Sequence, residues 1–269
     1  MQQHNSYKPE GLLIDLDGTI YHGTRVIEGA VEWLAALQAA QVRYLFVTNN
    51  STAAPEVVAE RLQAMGIPAA PAQVCTSAQA SAAYIAERQP GASVFIIGEA
   101  GLFAAATEAG LTIIEGTAEL EADYVLQGID RQLSYERLTK AVRLIRQGSN
   151  YVLTNPDLLL PATDGLIPGA GSIGALLSAA SGVKPTVIGK PSAVLVDFAL
   201  RRLGITAERT LMVGDNLATD IAAGQASGCK TALVLTGITT PDNLASLAET
   251  HNVQPDYIFH QLKELHSLL

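Results

Sequence analysis

Cysteine is scarce in this 269-residue chain. Only Cys75 and Cys229 occur, with no C-x-x-C, so neither a disulfide framework nor a zinc site is expected. The five histidines include no H-E-x-x-H. No apolar run approaches the roughly 18 residues that a membrane span needs. Basic residues are outnumbered, 17 Lys and Arg against 26 Asp and Glu, for a net charge of −9. They form no stripe, which argues against a nucleic-acid polymer as partner. The acidity speaks for solubility rather than for a fold. No G-x-S-x-G marks a serine hydrolase, and Gly189-Lys190 lacks the upstream glycine of a P-loop. Gly169-Ala-Gly171-Ser-Ile-Gly174 matches a dinucleotide fingerprint only in letters. It follows a Pro-rich loop rather than a strand, so it reads as turn glycines leading into a helix. There is no tandem repeat or low-complexity tract. Residues 1–5 carry no basic-then-apolar leader pattern, and a cytoplasmic protein is expected.

What is present is a rhythm. The chain is 48% hydrophobic and 16% charged, enough for a large core. Short apolar runs of the kind found in strands buried on both faces alternate with helical periodicities. Leu12–Ile14, Arg43–Thr48 and Val74–Thr76 read as strands, with helices around Val31–Leu37 and from Pro55 to about Met65. The pattern restarts with a helix over 77–88, strands at 93–97, 122–126 and 151–154, and helices over 100–109 and 135–146. A long turn-rich segment, 155–171, precedes a helix to about Ala180. Ser181–Pro185 reads as a link back. The first rhythm then resumes, with Ser192 capping a helix to about Leu203, strands at 210–213, 230–235 and 257–259, helices over 221–226 and 244–248, and a terminal helix. Strand-helix alternation of this kind predicts parallel sheets with right-handed crossovers. The simplest plan is one sheet built from both ends of the chain, with a second domain inserted between: a core over 1–78 and 185–269, and an insert over 79–184.

Polar residues gather where predicted core strands end. Asp15 and Asp17 follow Leu12–Ile14, although aspartate is depleted in strands. Two carboxylates so close repel unless a cation or a proton joins them, and a hard ion such as Mg²⁺ is the natural guest. Gly18 lets the chain turn sharply and brings backbone amides near a ligand. Thr48 and Asn49 end the second strand. Lys190 precedes the helix capped by Ser192. Asp215 and Asp220 follow the 210–213 strand. Ligands of open parallel sheets bind outside the carboxyl ends of the strands.

In this order the four features resemble the motifs of the haloacid dehalogenase-like superfamily: D-x-D-G-T at Asp15–Thr19, the threonine motif at Thr48, the lysine motif at Gly189-Lys190-Pro191, and G-D-x-x-x-x-D at Gly214, Asp215 and Asp220. The resemblance spans nearly the whole chain and is strongest to the NagD-like branch of p-nitrophenyl, nucleotide and sugar phosphatases. It implies an α/β fold with a Rossmann-like three-layer parallel-sheet core and an inserted smaller α/β cap domain of the C2 type. It also implies a Mg²⁺-dependent phosphomonoester hydrolase acting on small phosphate esters, and is compatible with a cap-mediated homodimer. Asp15 would be the nucleophile that forms an aspartyl-phosphate, and Asp17 the acid and then the base. Thr48, Gly18 and the Asn49 amide would hold phosphoryl oxygens. Lys190 would offset the charge of Asp15 and of the phosphoryl group. Asp15, Asp215 and the carbonyl of Asp17 would ligate the metal, with Asp220 and Asn216 behind them. Asn155 and Asp157 are expected to contact the leaving group, although Asp157 reads equally well as a turn aspartate. Two rivals stay open: a phosphotransferase or mutase on the same scaffold, and a non-catalytic binding protein.

Overall fold

The computed structural model describes residues 7–115, 121–162 and 165–268. The chain divides into two compact units. One comprises Met1–Thr48, Val58–Cys75 and Lys190–Leu269; the other comprises Asn49–Val57 and Thr76–Gly189.

The first unit is built on a six-stranded sheet in the order Tyr257–Phe259, Lys230–Val234, Thr210–Gly214, Gly11–Ile14, Arg43–Thr48, Val74–Thr76. Gly11–Ile14 lies near the middle and pairs in parallel on both sides, Leu13 facing Met212 on one flank and Leu45 on the other. Leu12, Leu13, Ile14, Phe46, Met212 and Val213 are all buried, as continuous apolar runs require of a strand covered on both faces. Strand order runs outward in opposite directions from the Gly11–Ile14/Thr210–Gly214 pair. That pair is therefore a topological switch point, where the loops leaving the two strands diverge and open a crevice. Helix Ala30–Ala39 turns Trp33, Leu34 and Leu37 inward at helical spacing. Helix Ala193–Leu203 starts at Ser192, whose hydroxyl accepts from the Val194 amide, and stops at left-handed Gly204. Arg43 Nη1 donates to the carbonyl of Leu203 (3.2 Å), satisfying an acceptor that the helix end leaves open.

The second unit carries a five-stranded sheet in the order Thr186–Val187, Asn150–Leu153, Tyr124–Gln127, Ser93–Ile97, Thr112–Ile113, with every pair parallel. Phe95, Ile97, Val125, Leu144, Tyr151 and Leu177 form its core. Helix Ser77–Arg88 is entered through a capping box between Thr76 and Gln79. Helix Tyr135–Gln147 runs from the Ser134 cap to left-handed Gly148.

Three departures from the sequence expectation have physical causes. The turn-rich 155–171 segment contains an antiparallel hairpin, Leu159–Ala162 with Gly165–Pro168. Among the described residues each strand has only one partner, so Pro161 and Pro168 are tolerated where a central strand would reject them. The terminal segment Leu262–Leu268 is a 3₁₀ helix. It buries Leu262, Leu265 and Leu268, a spacing of three that matches three residues per turn. Asn49–Val57, assigned to the core by sequence, packs with the second unit instead. The Gly101 amide donates to the Thr52 carbonyl (3.0 Å) and Thr154 Oγ1 to Ser51 Oγ (3.3 Å). Among the described residues no helix is long and apolar enough to cross a membrane. The leader reading concerned residues 1–5, which lie outside the described residues.

Candidate active site

The crevice at the switch point of the first unit is lined by acids. Asp15 leaves the Gly11–Ile14 strand with its amide bonded to Val213 O (2.9 Å), so the ladder continues one residue past the last paired strand position. Asp215 follows Thr210–Gly214 directly. Asp220 comes from a π-helical turn, Leu217–Ile221, whose entry is capped by Asn216 Oδ1 accepting from the Ala218 amide (3.0 Å). The extra residue in that turn brings the Asp220 side chain back over Gly214, where an added Cβ would collide with it. Asp220 Oδ2 accepts from the Asn216 amide (3.0 Å).

Lys190 reaches into this group from the start of its own segment. Its Nζ lies 2.5 Å from Asp15 Oδ1 and 2.7 Å from Asp220 Oδ1. It also donates to the Val47 carbonyl (3.0 Å). The lysine is only 2% exposed. Thr19 Oγ1 donates to Asp215 Oδ1 (3.3 Å) and lies 3.5 Å from Asp15 Oδ2. A loop after the Lys230–Val234 strand closes the far side. The Ile238 amide donates to Asp215 Oδ2 (2.6 Å), the Thr239 amide to the Asp215 carbonyl (3.1 Å), and Thr236 Oγ1 to the Gly18 carbonyl (2.8 Å). Gly18 sits at φ +87°, and a Cβ at Gly18 or Gly237 would strike the Asp215 carboxylate.

The charge in this pocket is unbalanced. Asp15, Asp215 and Asp220 place carboxylate oxygens within 4.8 Å of one another, all buried, against the single ammonium of Lys190. Burial, then the neighbouring Asp220 and Asp215, push the Asp15 carboxyl well above the usual range, with Lys190 opposing. Burial and Asp220 push Asp215 up to about 7. Burial alone would lower the Lys190 ammonium, but Asp15 and Asp220 outweigh it and raise its pKa. Three acids and one base in a dry pocket lack a cation, and an all-oxygen donor set suits a hard divalent ion. Asp17 is an exposed residue. Partial desolvation raises its pKa, while His22 and Arg61 oppose.

Residues 12–112 match the family described as haloacid dehalogenase-like hydrolase, and residues 187–265 a second family described as HAD-hydrolase-like. The 5'-nucleotidase YutF of Bacillus subtilis is 44% identical over 91% of this chain and 94% of that protein. The acid sugar phosphatase of Staphylococcus aureus is 43% identical over 98% of this chain and 97% of that protein. The chain belongs to the haloacid dehalogenase-like hydrolases. The p-nitrophenyl phosphatase from Archaeoglobus fulgidus superposes on this hydrolase with a TM-score of 0.91 at 39% identity, covering 97% of this chain and 100% of that one. Within the family the hydrolase is a phosphatase of the NagD-like branch.

The first unit of the hydrolase thus gathers Asp15, Lys190, Asp215 and Asp220 around one point. Thr48 ends its strand one residue after Val47, whose carbonyl Lys190 holds. Asn216 caps the turn that presents Asp220. Asp220 adds a third carboxylate within 4.8 Å of those of Asp15 and Asp215. Asn49, Asn155 and Asp157 belong to the second unit and bond one another there. Asn49 Nδ2 donates to Asp157 Oδ2 (3.1 Å), and Asn155 Nδ2 to the Asn49 carbonyl (2.9 Å). Sequence reasoning gave no role to Thr19, nor to the Thr236–Thr239 loop. The available signal was position: Thr236-Gly237 stands at the carboxyl end of a predicted core strand, as the four motifs do.

Proposed function

We propose that this phosphatase is a Mg²⁺-dependent phosphomonoester hydrolase that works through an aspartyl-phosphate. The observation that carries the reading is the buried cluster of three carboxylates around Lys190, with two positive charges too few. The donor set fits a divalent ion: Asp15 and Asp215 would hold it, with the Asp17 carbonyl implied by family resemblance and Asp220 behind them. When bound, the ion supplies positive charge that lets a dianionic phosphate ester approach an anionic nucleophile.

The chain's own groups do the rest. Asp15 donates an electron pair to phosphorus as the bond to the ester oxygen breaks. Asp17, whose carboxyl partial desolvation raises above its ordinary range, is the group we assign to give a proton to that oxygen. It then takes a proton from water, which attacks the acyl phosphate, returning Asp15 and releasing inorganic phosphate. Lys190 holds Asp15 Oδ1 and offsets charge that grows on the phosphoryl group. Thr48, Gly18 and the Asn49 amide are the groups we assign to the non-bridging oxygens.

The proposed substrates are sugar phosphates and nucleoside monophosphates, with p-nitrophenyl phosphate as a synthetic one. The names of the relatives support this range. Asp157 keeps its assignment to the leaving group. The reading also includes a cytoplasmic location and, from the family resemblance, a homodimer, which sedimentation at several concentrations would test. Phosphate release across a panel of metabolite monophosphates, with and without exhaustive chelation, tests the reading. Release is expected only with Mg²⁺ restored. Full activity in chelator would overturn the metal site.

A further inference from the structure

Asn155 makes contacts that a substrate-recognition residue would not be expected to exhaust. It is 6% exposed, and both ends of its amide are engaged inside the second unit. Nδ2 donates to the Asn49 carbonyl (2.9 Å), and Oδ1 accepts from the Asp157 amide (3.2 Å). The same Asn49 carbonyl accepts a second bond from the buried hydroxyl of Ser77 (2.6 Å). Asn49 is held once more through its side chain, which donates to Asp157 Oδ2. One residue is thus fixed at its carbonyl by two donors and at its side chain by a third partner.

The preceding residue, Thr154, ties down a second strand of chain. Its carbonyl accepts from the Gly189 amide (2.8 Å). Gly189 is packed so closely that an added Cβ would lie 2.5 Å from that carbonyl, 2.7 Å from Asn49 Oδ1 and 3.0 Å from Asn155 Cβ. Asn49 follows Thr48 and Gly189 precedes Lys190. The dipeptide Thr154-Asn155 therefore grips the chain one residue from each of two groups assigned to the phosphoryl site.

We propose that Asn155, with Ser77, is a positioning residue for the phosphoryl site rather than a contact for the leaving group. The Asn49 carbonyl and side chain leave the same tetrahedral Cα, so holding both fixes that carbon and leaves the Asn49 N–H only the rotation about its N–Cα bond. Two hydrogen bonds on the Asn49 carbonyl and one on its side chain set the residue whose own N–H is assigned to a phosphoryl oxygen. Such a donor must already be aimed when charge develops, since reorienting it during reaction costs rate. The proposal rests on the phosphatase reading above. It differs from a specificity role in one respect: the phosphoryl group is common to every substrate, so a misaimed donor penalises all of them alike.

The test compares wild type with Asn155→Ala, Asn155→Asp and Ser77→Ala. Asn155→Asp keeps the size but has no N–H for the Asn49 carbonyl. For each protein, kcat/KM is measured on p-nitrophenyl phosphate, a hexose phosphate and a nucleoside monophosphate, together with inhibition by orthovanadate, which mimics five-coordinate phosphorus. A loss of about tenfold to a hundredfold is expected for the Asn155 variants, the scale of a misplaced reacting group. It should be equal across the three substrates and matched by an equal weakening of vanadate inhibition. The Asn155→Ala/Ser77→Ala double variant should lose less than the product of the single losses, because both donors serve one acceptor. An unequal loss among substrates would return Asn155 to the leaving-group site. A loss with vanadate inhibition unchanged would mean only a smaller folded fraction, and no loss would remove the role; either overturns the proposal. If Asn155→Ala does not fold, Ser77→Ala carries the same comparison. Failure of the phosphatase reading itself would appear separately, as no turnover by wild type.

Discussion

Lys190 carries its ammonium into a dry pocket because two carboxylates wait for it there. That arrangement makes it the residue whose loss should be felt most. Lys190→Ala is expected to lower kcat at least ~10²-fold, the scale for removing a preorganised charge at the transition state. A change below about threefold, measured by phosphate release, would place Lys190 outside the reaction. Asp215 gives a pH test. Without metal its carboxyl is raised to about 7 from the ordinary 3.8, so between those limits the folded state binds more protons than the unfolded one. Asp215 therefore costs the metal-free protein stability progressively as pH rises from about 4 to about 7. A divalent ion needs the ionised carboxylate, and its binding weakens as pH falls. The gain in Tm on adding Mg²⁺ should be larger at pH 8 than at pH 6; an equal gain at both would remove Asp215 from the metal site. Asp157→Ala should lower kcat/KM for every substrate by a common factor, since Asn49 Nδ2 loses this acceptor, and beyond that unequally across natural substrates, with p-nitrophenyl phosphate, which has no hydroxyls on its leaving group, losing least. A common factor alone would end its assignment to specificity. At this scale Asp15, Lys190 and Asp215 were readable because charged residues interrupt apolar runs at strand ends. Thr19 was not, since a threonine hydroxyl earns its partners only after distant segments have met.

Elements decide where these side chains point. The π-helical turn Leu217–Ile221 supplies one residue more than an α-turn would, and Asp220 returns over Gly214 as a result. No apolar period announces such a turn, and the sequence reading began its helix only at Ile221. The Thr236–Thr239 loop is equally silent in sequence, yet its amides hold Asp215 from behind. Its glycine offers a test. A methyl at Gly237 would strike the Asp215 carboxylate, and overpacking of this kind costs about 1–3 kcal/mol. Gly237→Ala should lower Tm and raise the Mg²⁺ concentration needed for half-maximal activity. Unchanged metal activation would show that the loop does not set Asp215. Most strands of the two sheets were legible as buried apolar runs, whereas the two-residue strands Thr112–Ile113 and Thr186–Val187 were too short and too exposed to show as one. The 159–168 hairpin was hidden by its prolines and by three successive leucines that do not alternate.

For the whole molecule, the order of motifs along the chain was legible before the fold was. Strand–helix alternation gave parallel sheets, and the long interval between Thr76 and Lys190 gave an inserted unit. The finer division was not legible, because Asn49–Val57 lies between core strands in sequence but makes its contacts with residues such as Gly101 and Thr154. Interleaved units of this kind are defined by contacts that no local pattern records. The central claim is that Asp15 forms the covalent intermediate within the buried acid cluster. Its most direct test is phosphate release from p-nitrophenyl phosphate by purified Asp15→Asn in Mg²⁺, beside wild type of equal Tm. The amide cannot attack phosphorus, so turnover is expected to fall to background; release at the wild-type rate would contradict the covalent mechanism outright.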